Sequence, residues 1–364
     1  GPFQLTAGLF YQRSLRRVTF PKTPLGTFFD NIYSSDVRTR INEKAVFGQA
    51  SYALTDKLKL TAGARLFDNT VRFDGAIDGI TVTPAVVAGR QHEKGVNPKF
   101  GVEYQANPDA LLYASAAKGF RVGGVNFFSD LLCRGDLAAL GLTADQVKTF
   151  ASDSLWNYEI GAKTRWADRR ITVNATLFDI ELSNVQQQVS LPNCGFGFAA
   201  NSGSARSRGG ELEVQAAVTS AFKVSLGAGY NDAKITKSGR FNTIPAGTRI
   251  QQVPHWTFNA AADSAFDVAA VPAFVHADYQ YVGSSLSTLN TSPSSPRIRP
   301  SYSLVNLKAG VEVDKWEVSL FLDNVFDEQA NLSDVPSQAI ELPGRPRIAI
   351  NRPRSVGVDA RVKF

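Results

Sequence analysis

Ser115-Ala116-Ala117-Lys118 has the S-x-x-K spacing of penicillin-recognising enzymes, where a serine acts as nucleophile beside a lysine. That chemistry needs both side chains on one face of a helix, and a K-T-G strand elsewhere. Here the stretch reads as a strand, in which residues three apart point to opposite faces, and no K-T-G occurs. His92-Glu93 lacks the second histidine of H-E-x-x-H. The three histidines, His92, His255 and His276, are far apart in sequence, so no metal site is expected. Cys133 and Cys194 are 61 residues apart, which fits no zinc or redox motif. No P-loop or dinucleotide fingerprint is present. The expectation is a protein that is not an enzyme and carries no cofactor.

Two other groups suit binding. Arg297, Arg299, Arg345 and Arg347, followed by Arg352 and Arg354, would attract an anionic ligand, or would meet lipopolysaccharide phosphates or plain solvent. Phe127, Phe128, Phe196 and Phe198 would offer ring faces to the same ligand. The net charge of +6, from 39 Lys+Arg and 33 Asp+Glu, suits acidic partners of this kind. No basic run with interleaved aromatics occurs, so nucleic acid is not expected.

The elements that position these residues are strands. No stretch of 18 or more apolar residues exists, which rules out a transmembrane helix and leaves a membrane β-barrel open. Fourteen strand-like segments lie at about 3–13, 43–54, 58–70, 96–106, 110–118, 154–166, 169–182, 206–219, 222–234, 255–266, 272–283, 301–313, 315–324 and 352–364. In the last, Val356, Val358, Ala360, Val362 and Phe364 share one face, and Ser355, Gly357, Asp359, Arg361 and Lys363 the other. A soluble sandwich would show the same period. The connections separate the two cases, because they alternate strictly between short turns and long loops. The long ones cover about 14–42, 71–95, 119–153, 183–205, 235–250, 284–300 and 325–351. Short turns at one rim and long loops at the other mark a transmembrane barrel. Tyr and Trp near the strand ends, such as Tyr104, Trp156, Trp256 and Trp316, suit the two membrane interfaces. Thr143-Ala144-Asp145-Gln146 reads as a capping box ahead of a short helix over 144–151.

Four stretches, in order along the chain, resemble the barrel of TonB-dependent receptors. Tyr113 to Asn126 is similar to the strand-to-loop signature YxSxxKGFRxGGxN. Tyr158-Glu159-Ile160-Gly161-Ala162-Lys163 is similar to YExGxK, Arg208-Gly209-Gly210-Glu211-Leu212-Glu213 to RGxExE, and Phe321 to Asp327 to the motif before the last hairpin. The terminal Phe364 matches the aromatic ending of such barrels.

The resemblance implies an all-β fold: an antiparallel transmembrane β-barrel in the outer membrane of a Gram-negative bacterium. Residues 1–364 form one domain, supplying about 14 strands of a presumed 22. The plug domain that fills such barrels, and the TonB box, are absent from this sequence. With no signal peptide and no methionine, the chain reads as the carboxy-terminal portion of a longer, split or degraded gene product. The implied activity is TonB-energised uptake of a scarce solute, by default a ferric siderophore. Implied partners are the TonB system through the missing plug, the solute, lipopolysaccharide and the barrel-assembly machinery. Cys133 and Cys194 fall in adjacent outer loops on an oxidising export route, where they would form a disulfide or stay free thiols. Two other readings stay open: a complete 14-stranded passive porin or fatty-acid channel, and a non-transporting barrel such as an adhesin.

Val358, Ala360, Val362 and Phe364 resemble the signal read by the assembly machinery. Deleting Phe364 from the full-length receptor is expected to lower its outer-membrane amount. Unchanged amounts on immunoblots would remove that role.

Overall fold

In the computed structural model the alternating segments pair in sequence order into one antiparallel sheet of fourteen strands. The structure describes residues 1–364 apart from 25, 81, 83, 192, 241–243, 288–297, 336–346 and 364. The strands are β1 (Phe3–Phe20), β2 (Ser34–Ala53), β3 (Leu58–Asp78), β4 (Ala85–Asn107), β5 (Ala110–Arg121), β6 (Asp153–Trp166) and β7 (Ile171–Ser183). They continue as β8 (Ser204–Ala217), β9 (Phe222–Lys237), β10 (Trp256–Val268), β11 (Val271–Val282), β12 (Tyr302–Val313), β13 (Trp316–Asp323) and β14 (Ser355–Val362). Among the described residues β1 pairs only with β2 and β14 only with β13, so these strands do not close on themselves. The turns at one rim are tight. Ala269 and Ala270 form a two-residue turn with φ of 49° and 66°, a geometry that usually recruits Asn-Gly.

Burial is inverted relative to a soluble protein. Leu9, Val46, Leu66 and Val96 stand side by side across β1 to β4 and are 84%, 55%, 58% and 49% exposed. The row Ala309, Leu320 and Val358 does the same across β12 to β14. The opposite face carries ion pairs instead: Arg65 with Glu43, Lys59 with Glu103 at 2.7 Å, and Lys308 with Asp359 at 3.5 Å. An apolar exposed face behind a polar inner one suits lipid outside and water inside.

The inner face also holds its register by shape. Six aromatic rings lie on the glycine directly across the ladder: Phe47 on Gly8, Phe67 on Gly95, Tyr113 on Gly161, Phe178 on Gly209, Phe274 on Gly310 and Phe321 on Gly357. A Cβ at Gly161 would come within 2.5 Å of the Tyr113 ring, so the ring occupies the space a side chain would fill. The Tyr113 hydroxyl donates to Glu159 at 2.6 Å, which locks two of the sequence motifs together.

Several boundaries differ from the sequence reading. Residues 14–20, 34–42, 71–78 and 85–95, expected in loops, extend β1 to β4. On β3 the alternation is reversed: Val71, Phe73 and Ile77 are buried on the inner face, while Arg72, like its neighbour Arg90 on β4, is exposed on the outer one. Once a strand leaves the hydrocarbon its outer face meets water and its inner face meets protein, so the apolar stripe changes sides. The helix expected over 144–151 is a single 3-10 turn, Asp145–Val147, with the Thr143 amide donating to Gln146 Oε1 at 2.9 Å. The chain re-enters strand at Thr149.

The helix lies earlier, as α1 (Asp130–Ala139). Ser129 caps it, its Oγ accepting from the Leu132 amide at 3.4 Å. It ends in a Schellman turn, with Gly141 at φ 69° and the Leu142 amide donating to the Leu137 carbonyl at 2.9 Å.

Leu226 faces out and its neighbour Ser225 faces the lumen, both midway along the outward apolar run from Phe222 to Tyr230 in β9. Leu226→Lys is expected to cost about 2–4 kcal/mol of unfolding free energy in lipid vesicles, and Ser225→Lys much less. Equal losses in reversible denaturant unfolding of the whole barrel would overturn the face assignment.

Candidate functional site

At the long-loop rim, two segments fold into a small body with its own core. Residues 122–152 and 184–203 bring together Phe128, Leu137, Val189, Leu191 and Phe198, all buried. A disulfide joins Cys133 of α1 to Cys194, with Cα atoms 5.2 Å apart. Cys194 sits in the turn of a hairpin formed by Gln186–Leu191 and Phe196–Asn201. The buried Asp136 carboxylate accepts from the Asn193 side chain, from the Asn193 amide at 3.1 Å and from the Cys194 amide at 2.9 Å. Asn126 stitches the two segments, donating to the carbonyls of Val147 at 2.7 Å and Ala199 at 2.8 Å.

The glycines before Asn126 permit close approach. A Cβ on Gly123 would lie 2.4 Å from the Phe150 carbonyl oxygen. Glu93, on the tall part of β4, accepts from the Ser152 amide at 2.6 Å and from the Ser152 hydroxyl, which moors the body to the barrel wall.

Beside this body a cavity of about 580 Å³ opens on the lumen side of the rim. Leu155, Leu182, Ala205 and Ile235 from β6, β7, β8 and β9 form its apolar floor. Ile244 and Ile250 pack over it from the segment after β9. Its polar edge holds four amides, Gln186, Gln187, Gln188 and Gln251, together with Ser154 and Ser190. The Gln187 Oε1 is buried with no hydrogen-bond partner among the described residues. The one charged element is paired, Arg121 Nε donating to Asp153 at 2.9–3.0 Å. Gln186 is committed to structure, its Nε2 reaching the carbonyls of Val122 and Ala151 at 3.1 Å. Such a cavity offers apolar contact and neutral hydrogen bonds to a compact, amphiphilic solute.

The residues singled out for ligand contact are placed otherwise. Phe128 and Phe198 are 3% and 1% exposed in the loop core, so neither presents a ring face to a solute. Phe196 packs against the same core, and Phe127 lies 5.4 Å from the Phe73 ring on β3. A long outer loop without a core would not hold a shape, and these rings supply it. Arg299 is buried, in a two-residue bridge with Ser285. The Arg347 backbone pairs with Val335. Arg297, Arg345 and Phe364 lie outside the described residues. Val358 and Val362 are exposed on the outer face, as is Ala360. The run Gln186-Gln187-Gln188 was the readable signal for the cavity edge, an amide cluster just after a strand.

Comparison with known proteins gives a consistent result. A family model described as TonB dependent receptor-like, beta-barrel, matches residues 1–325. The metal-pseudopaline receptor CntO of Pseudomonas aeruginosa is 27% identical over 167 residues, 46% of this chain and 20% of that protein. The catecholate siderophore receptor Fiu of Escherichia coli is 24% identical over 326 residues, 83% of this chain and 40% of that protein. The structure of the ferric yersiniabactin uptake receptor FyuA from Yersinia pestis superposes with a TM-score of 0.81 at 18% identity, covering 100% of this chain and 52% of that one. The chain thus spans about half, or less, of the length of the proteins it matches.

Replacing both cysteines, Cys133→Ser with Cys194→Ser, is expected to speed amide exchange across α1 and the 186–201 hairpin while the barrel strands stay protected. The model of a closed chain loop sets the scale at about 4 kcal/mol. Unchanged exchange would show that the Phe128–Phe198 core holds the body without the bridge.

Proposed function

The chain belongs to the TonB dependent receptor-like β-barrel family, and from that premise we propose that it supplies the carboxy-terminal strands of an outer-membrane receptor for active uptake of a metal chelate, most nearly a ferric siderophore. The family seats the chain in the Gram-negative outer membrane and consists of receptors and transporters. The amide-edged apolar cavity at the outer rim carries the reading of the solute. It suits a chelator that wraps its metal and shows neutral hydrogen-bonding groups and hydrocarbon to the protein. The relatives named above are receptors for a metal–pseudopaline complex, a catecholate siderophore and ferric yersiniabactin, which is the same class of solute.

On this reading the uptake energy comes from the TonB system, acting through a plug domain outside residues 1–364. Further strands complete the barrel by pairing with the free edges of β1 and β14. Lipopolysaccharide surrounds the outer face, and the assembly machinery reads the β14 pattern.

The passive-channel reading takes support from the count of fourteen strands. It requires β1 to pair with β14, and that pairing is missing among the described residues. An unpaired strand edge in hydrocarbon costs several kcal/mol for each unsatisfied group.

Ser190 is exposed at the cavity and belongs to no core. Ser190→Trp in the full-length receptor is expected to cut uptake of radiolabelled ferric siderophore at least tenfold, with receptor amounts unchanged. Parental uptake by this variant would remove the cavity from the pathway. Iron-limited growth on the chelate that is unaffected by deletion of the gene would refute the function itself.

A further inference from the structure

The segment that follows β9 returns along it as a strap across the cavity. The Gly247 amide donates to the Ile235 carbonyl at 2.8 Å, the Ile235 amide to the Thr248 carbonyl at 2.8 Å, and the Ile250 amide to the Ala233 carbonyl at 2.9 Å. These bonds seat Ile244 and Ile250 on Ala205 and Ile235, so the strap closes the apolar floor. The strap turns away at Gln252, whose φ of 63° is left-handed, a conformation that glutamine seldom adopts. The Gln252 amide donates to the Leu286 carbonyl at 2.7 Å. Backbone pairing with β9 thus holds one end of the strap, and a strained residue marks the other, as is common at segments that switch.

Polar groups at the foot of the strap are left unmatched. His255 lies just before β10, on the outer side of Trp256, and its carbonyl accepts from the Asn231 amide at 2.9 Å. Its Nε2 and the Asp232 Oδ1 are both buried, 3.9 Å apart, and neither has a hydrogen-bond partner among the described residues. The other Asp232 oxygen accepts from Lys234 Nζ at 2.7 Å. Lys234 on β9 stands directly opposite Arg249 of the strap, so one carboxylate serves two cations across the strap's own pairing. Arg208 on β8, opposite Asp232, is engaged with Asp179 at 3.2 Å. The Tyr230 ring lies edge-on, 5.9 Å from the imidazole. Among the described residues the charges that act on His255 are Arg249, Asp232 and Lys234. Burial and then Arg249, helped by Lys234, hold the imidazole below the ordinary histidine value against the pull of Asp232.

We propose that His255 is an acid-sensitive latch on the strap, closed at neutral pH and released as the surroundings acidify. With the imidazole neutral, Asp232 is left to Lys234 and the strap stays paired. Protonation gives Nε2 a charge that faces Asp232 Oδ1 and competes with Lys234 for the carboxylate. Lys234 and Arg249 then oppose each other with less to neutralise them, and like charges directly across a ladder destabilise the pairing. The closed strap holds the imidazole below its ordinary value of about 6.5. The closed state is therefore fully favoured above that pH and loses its advantage as the pH falls below it. Release lifts Ile244 and Ile250 from the floor, so the cavity keeps its solute at neutral pH and yields it in acid. That consequence rests on the cavity being the solute site; the latch itself does not.

The test is amide exchange of the full-length receptor in lipid nanodiscs at pH 7.5 and pH 5.5, corrected for the intrinsic effect of pH, with no solute present. Peptides over Gly247 to Ile250 are expected to lose about fivefold or more of their protection at the lower pH, while the membrane-spanning parts of β9 and β10 keep theirs. His255→Gln, neutral at both pH values, is expected to abolish the loss. Arg249→Gln is expected to at least halve it, because the cation that opposes protonation is gone. This holds even where the lost bonds to the Val253 and Ser284 carbonyls loosen the strap at both pH values. Protected strand amides show that each variant is folded. Strap protection that is independent of pH in the parent, or that falls as far in His255→Gln, would overturn the proposal. So would an undiminished acid effect in Arg249→Gln. With no solute added, such a result strikes the latch alone and leaves the solute reading to the Ser190→Trp variant.

Discussion

A peptide group without a partner cannot stay in hydrocarbon, and this constraint organises the molecule. It forces the chain into strands that each satisfy the next, and it makes sequence neighbours into ladder neighbours from β1 to β14. It leaves side chains to decide only which face sees lipid. The exposed leucine and valine rows and the ion pairs behind them are two sides of that decision. The same constraint explains why the ends of the sheet matter: the outer edges of β1 and β14 have donors and acceptors with no strand beside them among the described residues.

The family motifs act mainly through backbone approach and not through chemistry. Gly161 and Gly209 leave room for Tyr113 and Phe178 on the lumen wall. Gly123 and Asn126 let the loop over 122–152 turn back onto the barrel and meet its neighbour. Asn324, in the last motif, donates to the carbonyls of Glu328 and Arg352 at 3.0 Å, and Asp327 accepts from the Arg354 amide at 2.9 Å, which closes the base of the last loop. A loop body held in this way, pinned by a disulfide and by Asp136, can line a cavity with a defined edge. On the proposed function, the solute site rests on loops made rigid by their own small core.

The sheet was legible in the sequence because period-two alternation is local: Leu58 to Leu66 and Val356 to Val362 show it without help from elsewhere. Turn parity then gave the orientation. The tall part of β3 was hidden because the apolar stripe crosses to the other face where lipid ends, so 71–78 looked like a polar loop. Helix α1 carried a readable start in Ser129-Asp130, and the capping box at Thr143 drew attention away from it. Beyond the Gln186-Gln187-Gln188 run at its edge, the cavity was not legible. Its floor comes from four strands and its edge from a loop hairpin, and only register and loop packing bring Leu155, Leu182, Ala205 and Ile235 together. Aromatic loop residues suggested a ligand surface, whereas Phe128 and Phe198 are needed inside.

The central claim is that the even-numbered face of β3 passes from lipid to water between Leu66 and Arg72. Nitroxide labels placed singly at residues 60 to 76 of the membrane-inserted receptor, with oxygen and a water-soluble nickel chelate as competing relaxers, test it directly. The account predicts high oxygen and low nickel accessibility at 60, 62, 64 and 66, a reversal at 72 and 76, and low values for both at 71, 73 and 77, where the loop body covers the inner face. Nickel accessibility that is uniform along the even positions would mean that no hydrocarbon boundary crosses this sheet, and the receptor reading would fall with it.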